Sequence, residues 1–163
     1  MATHLKNLSD FSHTTIPSGG TYKIALAVAE WNADVTGKLY NGAFETLIKH
    51  GVAEENILSV AVPGSFELSS AADILLTKRK DLDAVICIGC VIQGDTKHFD
   101  FICDAVANGI TNVSIKHSKP VIFGVLTTND LEQALDRAGG KHGNKGDEAA
   151  ITALKMAELN ASL

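Results

Sequence analysis

The chain has 163 residues, the length of one compact domain, which leaves no room for a second domain of ordinary size. Hydrophobic residues make up 45% and charged residues 20%, so the composition excludes extensive disorder. The net charge is -5 and no Lys/Arg cluster forms a stripe, which argues against nucleic acid or an anionic membrane as a partner. The longest apolar runs are strand-length and the N-terminus lacks an apolar secretory core, so we expect a cytoplasmic protein with no membrane span.

In chain order, a loose leader over residues 1–20 precedes a single domain over residues 21–163, in which strand-like runs alternate with helical patterns. The third strand-like run, residues 84–88, is continuously apolar and rich in β-branched residues, as in a parallel strand covered on both faces. The chain has four strand-like runs. They span residues 23–29, 57–62, 84–88 and 121–126. This order predicts an α/β fold, a three-layer α/β/α sandwich around a four-stranded parallel sheet.

Apolar residues at helical spacing predict a helix after each strand and one more at the end of the chain. The predicted helices cover about residues 34–50, 66–78, the segment after 94, 131–138 and the segment after 146. Gly51 ends the first helix at the usual C-terminal position. Asn129 and Glu132 form a capping box before the fourth helix, which turns Leu131 inward.

The stretch from Gly94 to Asp100 follows the third strand and opens a helix, so its backbone N–H groups would favour an anionic ligand such as phosphate. Asp95 would repel phosphate and is predicted to cap the N–H of Lys97 or His98. With an ordinary pKa near 6.5, a histidine at position 98 could carry protons in both directions at neutral pH. The alternative is a capped helix with a solvated histidine in its first turn.

Polar and aromatic residues follow the other strands, and ligands in such folds gather at the carboxyl ends of the strands. Trp31 and Asn32 come after the first strand, where the indole could stack on a flat heterocycle or pack as a core aromatic. Ser65 and Glu67 follow Pro63-Gly64 after the second strand, and Glu67 is equally explained by pairing with a helix dipole.

Two further motifs allow more than one interpretation. The segment from Arg137 to Gly146 places four cationic or titratable side chains among four glycines, which indicates tight turns with positive φ or close backbone contact. The segment suits either an anionic ligand or a flexible connection between two helices. Cys87 and Cys90 have a CxxC spacing, but they end a strand and no second pair completes a zinc site, so buried structural thiols are favoured. The sequence predicts no metal site and carries no nucleotide-binding fingerprint.

Four motifs in this order and spacing resemble the 6,7-dimethyl-8-ribityllumazine synthase family, from about Lys23 to the C-terminus. They are VPGSFE at 62–67, GCVIQGDTKHFDFIC at 89–103, IFGVLTT at 122–128 and RAGGKHGNKG at 137–146. The resemblance implies a flavodoxin-like sheet in the order 2-1-3-4. It also implies a condensation of 5-amino-6-(D-ribitylamino)uracil with 3,4-dihydroxy-2-butanone 4-phosphate, without a cofactor.

The resemblance assigns each site residue by position, with His98 as the catalytic proton carrier. Phosphate would be bound by Gly94, Asp95, Thr96 and Arg137, the last from a neighbouring subunit. The organic parts of the substrates would contact Trp31, Asn32, Ser65, Phe66, Glu67, Cys90, Val91, Ile92, Phe123 and Lys145. Of these, Phe123 and Lys145 would also come from the neighbouring subunit. Gln93 and Lys97 depart from commoner versions of the family, and Trp31 stands where phenylalanine is usual.

The resemblance further implies a homopentamer whose active sites lie between subunits, with the leader packed on an adjacent subunit. Members that stop at the pentamer often carry an insertion within 137–146, and this chain has none, so we expect a sixty-subunit icosahedral shell. Three alternatives remain at this stage: a riboflavin synthase of the archaeal type, a non-catalytic flavin- or phosphate-binding module, and a structural shell protein.

Overall fold

The computed structural model describes residues 9–11, 13 and 15–163. Within these residues, four long strands and five helices alternate, with two short strands before the last helix. The elements are β1 (Ile24–Ala29), α1 (Ala33–Lys49), β2 (Ile57–Val62), α2 (Leu68–Lys78), β3 (Ala84–Ile92), α3 (His98–His117), β4 (Val121–Thr128), α4 (Leu131–Asp136), β5 (Ala138–Gly140), β6 (Gly143–Asn144) and α5 (Lys145–Ser162). Single 3₁₀ turns at Glu54–Asn56 and Ser65–Glu67 precede β2 and α2.

The main sheet is parallel and has the order β2-β1-β3-β4, which confirms the predicted fold class and strand order. The chain leaves β1 toward β2 on one side and then returns to β3 on the other. The strand order therefore reverses between β1 and β3, and such a switch point opens a crevice at the carboxyl ends of the two strands.

Two apolar cores hold the three layers together, one on each face of the sheet. On one face, Leu39 of α1 and Leu154 of α5 pack with Ile86 of β3, and all three side chains are fully buried. On the other face, Leu68 of α2 and Val106 of α3 pack against β3 and β1. Burial of both faces explains why the central strands β1 and β3 are apolar without alternation.

The third strand is four residues longer than predicted. It reaches Ile92 because β4 also continues to Thr128, and the two strands stay paired to their ends. The following helix therefore begins at His98 with Lys97 as its N-cap. The prediction that the N–H groups of Gly94 to Lys97 lie at its N-terminus holds for Lys97 and is wrong for Gly94, Asp95 and Thr96. The prediction that Asp95 caps the N–H of Lys97 or His98 is also wrong. The His98 N–H donates to Thr96 Oγ1 at 3.3 Å, and among the described residues the Asp95 side chain accepts no hydrogen bond from Lys97.

The capping box before α4 lies one residue later than predicted. Asp130 Oδ1 accepts the Gln133 N–H at 2.8 Å, and Gln133 Oε1 accepts the Asn129 N–H at 3.1 Å. The shift turns Leu131 outward, where it is 50% exposed, so its predicted place in the core is wrong. Two neighbouring Asn/Asp residues each followed three positions later by Glu or Gln made the register ambiguous.

The segment from Arg137 to Gly146 is a short antiparallel hairpin made of β5 and β6. Gly139 and Gly143 have φ of 98° and 85°, which confirms the predicted positive-φ turns. The alternative of a flexible connection between two helices is wrong, because paired strands and backbone hydrogen bonds fix the segment.

Part of the predicted leader, residues 1–8, 12 and 14, lies outside the described residues. Ser9, which is described, exchanges hydrogen bonds with the Asn144 backbone of the same chain at 2.7 and 3.0 Å. Packing of the leader on a neighbouring subunit stays a prediction. No helix among the described residues combines the length and the hydropathy that a membrane span requires.

Candidate functional site

A cleft of about 720 Å³ opens at the switch point of the sheet. Its first wall is the β1–α1 junction, where Asn32 adopts the left-handed conformation with φ 60° and ψ 46°. Asparagine tolerates this conformation better than most residues. Its Nδ2 donates to the Cys90 carbonyl oxygen at 2.9 Å, which ties β1 to β3 across the crevice. The turn presents Trp31 with 73% of its surface exposed, so the indole is available to a ligand and is not a core aromatic.

The second wall is the 3₁₀ turn after β2, which contributes Gly64, Ser65, Phe66 and Glu67. A methyl group on Gly64 would lie 3.2 Å from Glu67 Oε2 and 3.5 Å from Trp31 Cδ1, so this glycine gives both side chains room. Phe66 is 55% exposed. Ser65 Oγ is buried and has no hydrogen-bond partner among the described residues. A buried hydroxyl without a partner is costly, which marks it as a candidate contact for a polar ligand.

The floor of the cleft is the carboxyl end of β3, formed by Cys90, Val91 and Ile92. The prediction that Cys87 and Cys90 point to opposite faces is confirmed, since they belong to different cores. Both thiols are free. Burial raises the pKa of the Cys87 thiol to about 12 and that of the Cys90 thiol to about 11, so both stay protonated and unreactive at neutral pH.

We expect iodoacetamide at pH 8 to label Cys87 and Cys90 far more slowly in the folded protein than in the urea-unfolded chain. Thiolates are the reactive form, and these thiols are both protonated and 0% and 3% exposed. Peptide mass spectrometry over a time course measures each site separately. Equal labelling rates in the folded and unfolded protein would contradict the structural role.

The first turn of α3 closes the cleft with His98 and Ile102. His98 is exposed and is the first residue of the helix, so its imidazole lies at the cleft and not in a core. Ile102 is four residues later, on the same helix face. The cleft thus brings an indole, an unpaired hydroxyl, a carboxylate and an imidazole together, an arrangement suited to holding a flat polar heterocycle while protons move.

The predicted phosphate loop precedes α3 without lining the cleft. Gly94, Asp95 and Thr96 are all exposed. They lie in the five-residue segment 93–97 between the end of β3 and His98, so they flank the imidazole along the chain. The Lys97 ammonium lies 3.7 Å from Asp100 Oδ2 in an exposed ion pair.

Three of the predicted site residues lie elsewhere. Phe123 on β4 and Lys145 at the start of α5 line a separate depression of about 350 Å³ at the β4 edge of the sheet. Arg137, between α4 and β5, is joined to Lys145 through Glu148, which contacts both cations. Besides the phosphate loop, one chain therefore carries two groups of predicted site residues: the cleft group and the group of Phe123, Arg137 and Lys145, which we call the β4-edge group.

Two residues that line the cleft were not assigned to the site from sequence. Gly64 precedes the Ser65 turn, and the sequence pair Pro63-Gly64 indicates that the backbone there can approach a ligand closely. Ile102 is recognisable from its spacing of four after His98. Among the described residues, no group of three or more His, Cys, Asp or Glu side chains is arranged to hold a metal ion.

Comparisons with known proteins bear on what this site does. The sequence model of a family described as 6,7-dimethyl-8-ribityllumazine synthase matches residues 21–161. A protein of that name from Cytophaga hutchinsonii is 61% identical over 156 residues, covering 96% of this chain and 97% of the relative. Proteins of the same name from Porphyromonas gingivalis and Parabacteroides distasonis are 54% and 51% identical, covering 98% and 99% of this chain and 98% and 100% of the relatives.

Proposed function

Because the chain belongs to the 6,7-dimethyl-8-ribityllumazine synthase family, we propose that it condenses 5-amino-6-(D-ribitylamino)uracil with 3,4-dihydroxy-2-butanone 4-phosphate. The products are 6,7-dimethyl-8-ribityllumazine, phosphate and water, in the penultimate step of riboflavin biosynthesis. The observation that carries the proposal is that Trp31 and His98 line one cleft at the switch point of the sheet. An exposed indole suits the pyrimidine, and the imidazole can serve each proton transfer.

The reaction divides into three steps, none of which needs a cofactor. The 5-amino group attacks the carbonyl carbon of the butanone phosphate, and loss of water gives an imine. Elimination then removes the proton from the hydroxyl-bearing carbon and breaks the bond between the adjacent carbon and the phosphate oxygen. The resulting enol tautomerises to a ketone, which is the carbonyl that the ring closure uses. The ribityl-bearing nitrogen closes the second ring with loss of another water. His98 carries protons between the reacting groups, and holding the two substrates together supplies much of the remaining acceleration.

The polar wall of the cleft suits the ribityl chain. Ser65 Oγ is buried without a partner among the described residues, and the Glu67 carboxylate lies beside Gly64. A hydroxyl-bearing substrate would pair with both, which removes the cost of leaving Ser65 unsatisfied. Asn32, Phe66, Cys90, Val91 and Ile92 would contact the rest of the pyrimidine substrate, largely by shape and backbone groups.

The phosphate would lie next to His98 and be reached by cations from a second copy of the chain. Gly94, Asp95 and Thr96 would form its loop, with Asp95 acting through its backbone because a carboxylate repels phosphate. Within one chain, the β4-edge group does not line the cleft. A neighbouring copy that places its β4 edge against the cleft would bring Arg137 and Lys145 to the phosphate and Phe123 to the ring.

Shared sites of this kind require an oligomer, and we propose a homopentamer that assembles into a sixty-subunit shell in the cytoplasm. Exposed apolar residues on α3, among them Phe101 at 74% and Ile115 at 72%, support burial against other copies. Native mass spectrometry of the purified protein tests this. A mass of sixty chains is the expected result, a mass of five would overturn the shell, and a monomer would overturn the shared site.

The reaction itself is tested by leaving out one substrate at a time. Purified protein should form the lumazine chromophore only when both the ribitylaminouracil and the butanone phosphate are present. Conversion of lumazine alone to riboflavin would instead identify a riboflavin synthase. Binding of lumazine or riboflavin with no turnover of either substrate set would identify a binding or shell protein.

Replacing Trp31 by alanine should lower kcat/KM about ten- to a hundredfold, mainly through KM for the pyrimidine substrate, since stacking of a base on an aromatic ring contributes about 1–3 kcal/mol. Trp31 is 73% exposed, so its removal should leave the fold intact. Trp31→Phe is the matched control and should keep most of the affinity. Steady-state kinetics with the butanone phosphate saturating measure the effect, and equal KM values for Trp31→Ala and the unchanged protein would contradict the stacking role.

A further inference from the structure

Glu148 is a charged residue in the first turn of α5 to which the sequence motifs assign no role. Its Oε1 lies 2.7 Å from Arg137 Nη2, and its Oε2 lies 3.3 Å from Lys145 Nζ. The side chain is 17% exposed, and those of Arg137 and Lys145 are 15% and 29% exposed. One half-buried carboxylate thus joins the two cations that we propose to reach a neighbouring copy's phosphate.

The contacts of Arg137 fix the plane of its guanidinium. Nη1 donates to the His142 carbonyl oxygen at 2.7 Å, inside the β5–β6 hairpin, while Nη2 donates to Glu148. A guanidinium has five N–H donors in a rigid planar arrangement, so two anchored nitrogens set the direction of the remaining donors. Glu148 therefore determines where those donors point.

The carboxylate is itself held in place. Glu148 lies in the first turn of α5, which begins after Asn144. Asn144 Oδ1 accepts the Gly146 N–H at 2.8 Å and caps the helix. Ser9 Oγ accepts the Asn144 N–H at 2.7 Å and lies 3.5 Å from Glu148 Oε1. The N-terminal segment, the hairpin and α5 thus meet at this carboxylate.

We propose that Glu148 is a positioning residue that orients Arg137 and Lys145 toward the phosphate of the substrate held in a neighbouring copy's cleft. This inference rests on the proposed function. Glu148 does not touch the substrate in this account. It acts by holding two flexible cations in one arrangement before the phosphate arrives, so that less conformational freedom is lost on binding.

Replacing Glu148 by glutamine preserves the shape of the side chain and removes its charge. An electrostatic role and a positioning role of Glu148 then predict opposite changes in KM for the butanone phosphate. Removing a negative charge beside two cations strengthens the field on a phosphate, so a purely electrostatic role predicts a lower KM for the butanone phosphate. A positioning role predicts a higher KM, by about tenfold, because the charge-assisted hydrogen bonds that orient the cations are lost. It also predicts kcat and the KM for the pyrimidine substrate within about twofold of the unchanged protein.

The test compares Glu148→Gln, Glu148→Asp and Glu158→Gln in the assembled protein. Glu158 lies on the exposed side of the same helix and is the matched control, expected to behave as the unchanged protein. Glu148→Asp keeps the charge on a shorter stem and should give an intermediate KM. If Glu148→Gln does not assemble, Glu148→Asp alone decides, and an unchanged KM for the butanone phosphate in that variant overturns the proposal.

Binding of inorganic phosphate, measured by calorimetry on the same proteins, separates this inference from the proposed function. An affinity about tenfold weaker in Glu148→Gln than in the unchanged protein supports positioning even if no lumazine is formed, a result that would overturn the proposed reaction alone. An unchanged or tighter phosphate affinity in Glu148→Gln, alongside normal lumazine formation by the unchanged protein, overturns positioning and leaves the reaction standing.

Discussion

Replacing His98 by alanine should lower kcat by about 10²- to 10⁴-fold, the range for loss of one general acid–base group. The imidazole lines the cleft and is exposed, so its removal creates no core cavity. Circular dichroism and native mass should therefore be unchanged. Steady-state turnover at saturating levels of both substrates measures the effect, corrected for the uncatalysed reaction between them.

His50→Ala is the matched control for the histidine variant. His50 follows the end of α1 and does not line the cleft, so kcat should stay within about twofold of the unchanged protein. His98→Gln, which keeps a hydrogen-bonding side chain without a titrating nitrogen, should be nearly as slow as His98→Ala. A kcat for His98→Ala equal to that of the unchanged protein would remove the proton-carrier role.

Replacing Gly146 by alanine should destabilise the protein by about 3 kcal/mol, the upper end for overpacking a core. A methyl group at this position would collide with the Leu39 carbonyl oxygen and lie 3.0 Å from the Ala43 backbone nitrogen. Both obstacles are backbone atoms of α1, so no side chain can rotate away. Relief requires α1 and α5 to separate, which disrupts the core on that face of the sheet.

Gly37→Ala is a control that should change the free energy of unfolding in the opposite direction. Gly37 lies within α1, and a methyl group there would meet no described atom within 4 Å beyond the nearby backbone of its own helix. Alanine should therefore stabilise the protein by about 0.5–1 kcal/mol. Denaturant midpoints at one fixed protein concentration compare the variants, since assembly makes stability depend on concentration. A midpoint for Gly146→Ala equal to that of the unchanged protein would contradict the close packing of α1 on α5.

The parts of the fold that depend on local sequence pattern were predicted correctly. The parts that depend on pairing between distant segments were not. The ends of β1 and β2 match the apolar runs closely because apolar residues stop where the strands leave the core. The extension of β3 from 88 to 92 depends on its pairing with β4, about 36 residues away, which periodicity cannot show. Because β3 is longer than predicted, α3 also begins later, at His98. This shift explains why the capping role predicted for Asp95 is wrong.

The candidate site was also predictable where local sequence pattern decides and unpredictable where distant segments meet. The rule that ligands gather at the carboxyl ends of parallel strands was sufficient to group Trp31, Ser65 and His98, which the structure places in one cleft. The partner of Arg137 was not predictable, because Glu148 reaches it only once the β5–β6 hairpin brings α4 and α5 together. The local sequence pattern of one chain also does not predict how neighbouring copies are arranged.

The most direct test of the proposed reaction is to mix the purified protein with the ribitylaminouracil and the butanone phosphate. Lumazine absorbance and released phosphate are followed together, above the uncatalysed rate. We expect catalysed appearance of both in equal amounts, since each ring closed requires one phosphate eliminated. A folded, oligomeric sample that releases no phosphate and forms no lumazine above background would contradict the proposed function.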